Sequence, residues 1–572
     1  MGTKVTICTK GNKQVCEQFF TRGFMSSSSA PLHFGTGSEV IIDSVIVRWP
    51  DLTFLVITNI PCDRTLYLRQ DDEKKTMFFQ KATQKQKIFS DTSLPGLEFT
   101  HREDPFTDLG REPLMPFSLA AEGPAIAIGD LNNDGLDDVF AGGAKEQAAE
   151  IFFQMKDGSF RKMRLPVKTE DNFTDDVDAA IFDADGDNDN DIWIVHGGNE
   201  YPENSPFFTD NLLINDGHGN FARGVTGLFP HNGSCVCTGD MDNDGDIDVF
   251  SGSRSVPGAY GLSPFSYFLE NNGAGRFSIS DKLKVSGMVT DAVWTDYDND
   301  GDNDLAVVGE WMKVSLFRNE KGNFEDITDS SGLGKTEGWW NCIYSFDYDH
   351  DGDLDLFCGN SGINSILKAS EKEPAELYVN DFDNNGIPDP VICSYVEGIS
   401  YPFASFDELK VQLPFLSQKF RSYADFADKT ASEIFGSGFW DKSMHKKVQL
   451  AESSLFINNK GAFKTQKMPV EAQFSPVRSM VPDDFNGDGF TDLILAGNNY
   501  NIRQSYGRFD AGYGWFMQGD GKGFKSVMPW RSGLRIIGDS RKVVSINIHG
   551  EKYLIAGINN GRLQVIKVNR LF

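Results

Sequence analysis

The chain is predicted to be an all-β protein, a β-propeller of seven or alternatively eight blades that follows a small β module. Three observations predict this fold. A nine-residue loop with oxygen side chains at positions 1, 3, 5 and 9 occurs seven times along the 572 residues. Most copies recur about every 55 residues, a spacing typical of one four-stranded propeller blade. Each copy lies between two short apolar runs that are typical of strands.

Residues 1–70 are predicted to form the separate β module. Val45, Val47 and Trp49 alternate along one face of a strand, and this stretch contains none of the acidic loops. A charged segment that starts at Gln70 begins a predicted linker over residues 71–95. The propeller is expected over residues 96–572.

A glycine-containing hairpin follows most of the acidic loops. Glycine supplies the positive φ that a tight turn needs, and the Phe after it is expected to pack between adjacent blades. Each predicted blade therefore consists of a strand, an acidic loop, a second strand and a hairpin. The clearest hairpins run over residues 215–221, 271–277, 319–324 and 454–463.

The repeats are interrupted between about residues 365 and 452, a stretch that carries the loop beginning at Asp381. The spacing of apolar residues from Leu416 to Ile434 predicts an amphipathic helix that ends at Gly436. We interpret the region as a helical insertion in the fifth blade. If the Asp381 loop instead marks a blade of its own, the propeller has eight blades.

The last repeat, residues 542–568, keeps its strands but lacks the acidic loop and is one strand short. A closed propeller leaves no free sheet edge, so another segment must complete this blade. Residues 96–100, which precede the first full blade, are predicted to do so.

The acidic loops are predicted to bind Ca²⁺. Carboxylates at this density repel one another, and a hard cation that takes six to eight oxygen ligands offsets the repulsion. Gly or Asn at position 6 permits the sharp turn, and position 7 contributes its backbone carbonyl. Mg²⁺ is less suitable because it demands a tighter octahedron. The loops differ from EF-hands, which need Glu at position 12.

The predicted metal ligands are positions 1, 3, 5, 7 and 9 of each loop, for up to seven Ca²⁺. In the first three loops these are Asp130, Asn132, Asp134, Leu136 and Asp138; Asp183, Asp185, Asp187, Asp189 and Asp191; and Asp240, Asp242, Asp244, Asp246 and Asp248. In the last four loops they are Asp296, Asp298, Asp300, Asp302 and Asp304; Asp347, Asp349, Asp351, Asp353 and Asp355; Asp381, Asp383, Asn385, Ile387 and Asp389; and Asp484, Asn486, Asp488, Phe490 and Asp492.

The formal net charge of −29 comes mostly from these loops. Such a chain is a poor nucleic-acid binder, because nothing offsets the repulsion of phosphate. The sequence also contains no apolar run long enough to span a membrane. Seven calcium sites suit a calcium-rich, extracellular or cell-surface setting, since extracellular modules bind Ca²⁺ weakly.

Two features together resemble a known family. Residues 32–37 and 42–50 resemble the ASPIC/UnbV module, and the acidic loops with their Gly/Phe hairpins resemble FG-GAP or VCBS-type repeats. The combination resembles the cartilage acidic protein family and its bacterial relatives. The resemblance implies a propeller that binds metal and is exported. It also suggests that an export signal and a further segment precede Met1 in the full protein.

The function predicted from these features is a calcium-stabilised scaffold that binds a glycan or a surface protein, as a monomer or within a surface complex. The alternative is a secreted enzyme that acts on polysaccharides at the propeller rim. No convincing catalytic constellation occurs, so we expect a non-enzyme. Three other motifs are weaker candidates for ligand sites, namely residues 101–104, residues 196–200 and the Trp339–Trp340 pair, for which a core position is favoured.

Overall fold

The computed structural model describes residues 2–21, 23–51, 53–70, 75–76, 87–165, 173–436 and 438–569. It divides the chain into two compact units, Met1–Lys85 and Gln86–Phe572. Much of the predicted linker, including most of its charged segment, lies outside the described residues. No helix in the described part of the chain is long and apolar enough to cross a membrane.

The first unit is a five-stranded antiparallel sheet in the order β2-β1-β3-β4-β5. The predicted alternation is present in β3, where Val45 and Val47 are buried on one face. Phe34 and Leu66, from segments outside the sheet, cover this apolar face. The strands are β1 (Lys4–Thr9), β2 (Asn12–Glu17), β3 (Ile41–Arg48), β4 (Thr53–Pro61) and β5 (Lys75–Thr76).

Among its described residues, the second unit contains seven groups of four antiparallel strands that we number ring sheets 1 to 7 in chain order. Ring sheets 4 and 5 are continuous, because Glu310 of ring sheet 4 pairs with Trp339 of ring sheet 5. Before them comes β6 (Phe89–Thr92). Ring sheets 1 and 2 consist of β7 (Ile126–Gly129), β8 (Asp138–Ala141), β9 (Glu150–Gln154) and β10 (Phe160–Arg164), and of β11 (Asp175–Phe182), β12 (Asp191–Gly197), β13 (Asn211–Asn215) and β14 (Phe221–Arg223). Ring sheet 3 consists of β15 (Gly233–Gly239), β16 (Asp248–Ser253), β17 (Phe265–Glu270) and β18 (Ser278–Ile279), with β19 (Val285–Ser286) beside β17. Ring sheet 4 consists of β20 (Met288–Thr295), β21 (Asp304–Met312), β22 (Ser315–Glu320) and β23 (Asn323–Asp326).

Ring sheet 5 is interrupted in sequence by a separate four-stranded insertion sheet. After the insertion, the chain returns to ring sheet 5 with its two outer strands, β30 and β31. Strand β30 pairs with β25, with Phe357 opposite Leu455. In chain order the strands are β24 (Gly338–Phe346) and β25 (Asp355–Asn360) of ring sheet 5; β26 (Ala375–Asn380), β27 (Asp389–Val396), β28 (Ile399–Pro402) and β29 (Met444–Val448) of the insertion sheet; and β30 (Ser454–Asn459) and β31 (Ala462–Lys467) of ring sheet 5. Ring sheet 6 follows with β32 (Ser479–Asp483), β33 (Asp492–Ala496), β34 (Trp515–Gly519) and β35 (Phe524–Val527), and ring sheet 7 with β36 (Ser540–Ile548), β37 (Glu551–Ile558) and β38 (Gln564–Val568).

The first strands of the seven ring sheets contact one another in a closed cycle. The order is β7, β11, β15, β20, β24, β32, β36 and back to β7. Ring sheet 7 is completed by β6, in which Thr92 pairs with Val565 of β38. The prediction that residues 96–100 complete this sheet is therefore wrong. Gly96 takes a left-handed φ of 84° in a turn that ends the pairing of β6. Of residues 96–100, Thr100 forms only an isolated bridge with Arg562, beside which Phe99 accepts the N–H of Leu563.

Aromatic residues of the hairpins fill the spaces between neighbouring ring sheets, as expected. The Phe277 ring of sheet 3 lies 5.1 Å from Trp193 of sheet 2 in an edge-to-face arrangement. Phe524 of sheet 6 lies 4.8 Å from Tyr348 of sheet 5. Such pairs add about 0.5–1.5 kcal/mol to the free energy of unfolding beyond the area they bury. The same contact therefore joins successive repeats of the ring.

The insertion carries several short helices where one amphipathic helix was predicted. The predicted segment breaks because Ser422 and Thr430 act as new N-caps, each accepting a backbone N–H three residues later. Apolar residues of these short helices, including Leu409 and Ile434, cover the insertion sheet at Val391. In the described ranges the helices are α1 (Phe406–Gln412), α2 (Leu416–Lys419), α3 (Tyr423–Phe426), α4 (Ala431–Phe435), α5 (Phe439–Lys442) and α6 (Pro529–Ser532), with 3-10 turns at Asp108–Gly110, Pro206–Phe208 and Val470–Gln473.

Candidate metal centre

The seven acidic loops of the described chain each connect the first and second strand of a sheet, in ring sheets 1–6 and in the insertion sheet. We name each loop by its first residue. Ring loops contact their neighbours, since the Asn190 side chain of the Asp183 loop donates to the Asp130 carbonyl at 2.8 Å. In the same way Asn303 donates to the Asp240 carbonyl at 3.3 Å. The six ring loops therefore lie side by side at one end of the ring.

Two residues of each loop adopt the left-handed backbone conformation, with φ between 55° and 98°. At position 6 this was predicted from Gly or Asn. The second left-handed residue, at position 4, was not predicted, although Asn or Gly occupies it in every loop except the Asp347 loop, which has His350. These position-4 residues are Asn133, Gly186, Asn243, Asn299, His350, Asn384 and Gly487.

The side chains at positions 1 and 5 shape the loop by accepting hydrogen bonds from backbone N–H groups. In the Asp240 loop, Asp240 accepts the N–H groups of Asp244 at 3.2 Å and Gly245 at 3.0 Å. Asp244 in turn accepts the N–H of Asp246, at position 7, at 3.0 Å. The position-7 residues Leu136, Asp189, Asp302, Asp353, Ile387 and Phe490 donate in the same way. These bonds curl the loop so that its oxygen groups converge.

In four loops, the carboxylate at position 3 has an oxygen that accepts no hydrogen bond from the described residues. Oδ1 is buried and has no partner among the described residues at Asp185, Asp242, Asp298 and Asp349. Ligand atoms of positions 1, 3 and 5 lie within 4.8 Å of one another in the Asp240, Asp296 and Asp347 loops, as do those of positions 1, 3 and 9 in the Asp183 loop. Oxygens bound to one Ca²⁺ at about 2.3–2.6 Å have comparable separations. These four loops therefore fit a calcium ion.

The carboxylate at position 9 of each loop is buried and attaches the loop to its sheet through hydrogen bonds. Asp304 accepts the N–H of Tyr297, in its own loop, at 3.2 Å and the N–H of Asn319, on β22, at 2.7 Å. Burial raises the pKa of Asp304 to about 7, and nearby loop carboxylates act in the same direction. The pKa of the equivalent residue is raised to about 6 or 7, chiefly by burial, at Asp138, Asp191, Asp248, Asp355, Asp389 and Asp492.

The other three loops share the fold of the loop but differ at the third or fifth position. Asn132 and Asn486, at position 3, donate their side-chain N–H groups to the ninth-position aspartates Asp138 and Asp492. In the Asp381 loop, the side-chain oxygen of Asn385 at position 5 accepts the N–H of Ile387 at 2.7 Å. Asp383 holds position 3 there. These loops offer fewer carboxylates to a cation.

Buried amides link four of the acidic loops to the loop before them in the ring, and sequence reasoning missed this role. Asn319 donates one side-chain N–H to the Met241 carbonyl at 2.6 Å and the other to the Asn303 carbonyl at 2.9 Å. Met241 belongs to the Asp240 loop and Asn303 to the Asp296 loop. Asn215, Asn271 and Asn458 make the equivalent pair of bonds. The signal was present, because each of these asparagines opens or lies within a repeated hairpin.

Gln154 makes the corresponding link where the ring closes. Its side-chain N–H groups reach the Asp137 carbonyl of the Asp130 loop at 2.8 Å and the Asn547 carbonyl of ring sheet 7 at 3.3 Å. Ring sheet 7 has a two-residue turn, His549–Gly550, in place of an acidic loop. The first and last ring sheets are thus joined through the same kind of contact that joins ring sheets 1 to 5.

The remaining candidate motifs have different fates. Trp339 and Trp340 are buried, 5% and 0% exposed, and belong to the apolar core, as favoured. The motifs at residues 101–104 and 196–200 come close enough for the charges of Glu103 and Glu200 to interact, at the end of ring sheet 2 that is opposite its acidic loop.

Comparison with known proteins identifies two domains. Residues 1–75 match the ASPIC and UnbV family, and residues 296–358 match the FG-GAP-like repeat family. No curated protein matches the chain.

Similar solved structures include the crystal structure of BBS1N in complex with ARL6DN, soaked with lead, at 10% identity and a TM-score of 0.35, covering 84% of this chain and 99% of that one. Another is the V. cholerae biofilm matrix protein Bap1, at 11% identity and a TM-score of 0.34, covering 83% and 91%. Likenesses this weak support no functional conclusion. The two matches agree with the resemblance found in the sequence: the chain contains an ASPIC and UnbV domain and an FG-GAP-like repeat.

Proposed function

We propose that the second unit is a seven-bladed β-propeller whose acidic loops hold Ca²⁺. The cyclic contacts of the seven ring sheets support seven blades over eight, because the sheet that carries the Asp381 loop contributes no strand to that cycle. The observation that carries the calcium assignment is the row of buried, unpartnered oxygens at Asp185, Asp242, Asp298 and Asp349. A bound divalent cation supplies the positive charge these oxygens lack.

We infer that the role of the metal is structural. In each ring loop the candidate ligands come from one short segment, and buried amides tie four of these segments to the neighbouring loop, as Asn319 does. Holding one loop in shape therefore also holds the contact between two ring sheets. Calcium affinity at the level of extracellular modules, about 10⁻⁴ to 10⁻³ M, suits an exported protein.

We propose that the protein acts outside the cell as a binding or adhesion scaffold for a glycan or a surface protein. FG-GAP repeats and a rigid ring with exposed connecting loops support a binding role. The fold does not identify the ligand. Either a monomer or a subunit of a surface complex agrees with this function.

The test is a glycan array, together with pull-down from the native source, in the presence and absence of calcium. We expect calcium-dependent binding without turnover of the bound glycan. Release of new reducing ends from a polysaccharide panel would instead support the competing hypothesis of a secreted polysaccharide-acting enzyme. Turnover that survives purification would overturn the scaffold assignment.

A further inference from the structure

Three acidic side chains meet at the end of ring sheet 2 that is opposite its acidic loop. Asp175 is the first residue of β11, Glu200 follows β12, and Glu103 lies between β6 and β7. Strand β11 has eight residues and leads into the Asp183 loop, so the two ends are about 25 Å apart. We name Glu103, Asp175 and Glu200 the carboxyl cluster.

Two oxygens of the carboxyl cluster face the same small space. Asp175 is 3% exposed. Its Oδ1 accepts the backbone N–H of Lys145 at 2.8 Å. Its Oδ2 is buried without a hydrogen-bond partner in the described part of the chain. A Cβ at Gly198 would lie 2.4 Å from Glu200 Oε2 and 2.8 Å from Asp175 Oδ2. Glycine at this position is what keeps the space open.

Glu103, from the segment that precedes ring sheet 1, lies near enough for its charge to interact with those of Asp175 and Glu200. One of its oxygens accepts the Asn559 side-chain N–H at 2.7 Å. His101 lies 3.8 Å from that oxygen, but burial lowers the pKa of His101 to about 3, so its ring is neutral. His101 therefore brings no positive charge to the cluster.

The nearby basic side chains are engaged with other acids. Lys145 Nζ pairs with Asp104 at 2.7 Å. Arg541 pairs with Asp539 at 3.0 Å and with Glu122 at 3.3 Å. Within the described ranges, no Lys or Arg forms an ion pair with a member of the carboxyl cluster. The cluster is an excess of negative charge in a mostly buried position.

The pKa values of the cluster agree with this charge excess. Burial, followed by the charge of Asp175, raises the pKa of Glu103 well above its usual range. Burial is also the main cause that raises the pKa of Asp175 to about 7 and that of Glu200 to about 9. Buried carboxyls in this state require either a shared proton or a cation.

We propose that the carboxyl cluster is a divalent-cation site, separate from the acidic loops, that takes Ca²⁺ or Mg²⁺ through Asp175 Oδ2, Glu200 and Glu103. A cation there ties the segment around Glu103 to ring sheet 2. Glu200 is half-buried, so one side of the ion remains open to water or to a carboxylate or hydroxyl of a bound ligand.

The direct test is crystallography of the intact protein with Mn²⁺, which replaces Ca²⁺ or Mg²⁺ at oxygen sites and gives an anomalous signal. We expect a peak within bonding distance of Asp175 Oδ2 and Glu200. Full occupancy of the acidic loops with no peak at the cluster would overturn the proposal and leave a shared proton as the explanation. This outcome leaves the calcium assignment of the loops intact.

A binding count provides the second test. Glu200→Gln should bind one equivalent of Mn²⁺ fewer than the unchanged protein in equilibrium dialysis. Glu203→Gln is the matched control, because Glu203 is exposed three residues away and should bind the full number. Equal counts for the two variants would contradict the proposal. If Glu200→Gln fails to fold, the anomalous map decides.

Discussion

Asp349 shows at the scale of one residue why we propose that the loops hold a cation. One of its oxygens is buried without a partner among the described residues, and burial and the charge of Asp351 raise the pKa of its carboxyl. We expect the side chain to be unfavourable in a metal-free loop and favourable in a filled one. The same residue is thus expected to change the sign of its contribution to stability with calcium.

Asp349→Asn tests this change of sign. In excess calcium, the variant should unfold at lower temperature and bind one ion fewer, with a loss of up to about 2.7 kcal/mol if the lost ion is normally present at a hundred times its Kd. In chelator, the same variant should be at least as stable as the unchanged protein, because an uncompensated charge is gone. Calorimetry under both conditions measures the difference.

The control for Asp349→Asn is Asp91→Asn, since Asp91 is an exposed residue of β6. It should leave the melting temperature nearly unchanged in both conditions. A loss of stability for Asp349→Asn in chelator, equal to that in calcium, would contradict the account.

Asp291 allows a pH prediction away from the loops. It faces the small central cavity of the ring, which is also lined by Lys542 and Arg541, and it accepts the Ile343 N–H at 2.9 Å. Burial raises the pKa of Asp291 to about 7, although the charge of Lys542 acts in the opposite direction. Its pKa in the unfolded chain is about 3.9.

The folded state therefore holds more protons than the unfolded state at Asp291 between these pKa values, so this residue makes stability fall as pH rises. With calcium in excess, the melting temperature of Asp291→Asn should fall less between pH 5.5 and pH 8 than that of the unchanged protein. Parallel curves for the two proteins would rule out this titration.

At the scale of elements, buried amides join several of the neighbouring sheets. Asn319 is 0% exposed and reaches carbonyl groups of two acidic loops. These asparagines stand at regular places in the sequence. An asparagine in a hairpin can serve the turn itself or link two sheets, and the residue type is the same in both cases. Only the three-dimensional arrangement separates the two roles.

Asn319→Ala should lower the free energy of unfolding by about 2 kcal/mol or more, because it leaves buried carbonyl groups unpaired at about 1–3 kcal/mol each. Asn323→Ala is the control from the same hairpin, where the side chain is exposed. It should cost less than about 0.5 kcal/mol. Denaturant unfolding in excess calcium measures both, and equal losses would show that the buried link has no special weight.

At the scale of the whole molecule, the sequence predicted what repeats and missed what is unique. The acidic loops and the hairpin aromatics follow from local chemistry that occurs many times. The strand at Phe89–Thr92 and the helix breaks at Ser422 and Thr430 occur once, and competing local patterns obscured them. The carboxyl cluster brings together Glu103, Asp175 and Glu200, which are far apart in sequence, so no local pattern could predict it.

We propose above all that Ca²⁺ bound in the acidic loops stabilises the ring of sheets. Elemental analysis of the purified protein, combined with its melting temperature before and after chelation, tests this claim most directly. The account predicts several calcium ions per chain, approaching seven, and a melting temperature that falls on chelation and recovers when calcium is restored. A protein that contains no divalent metal and melts at the same temperature with and without chelator would contradict it.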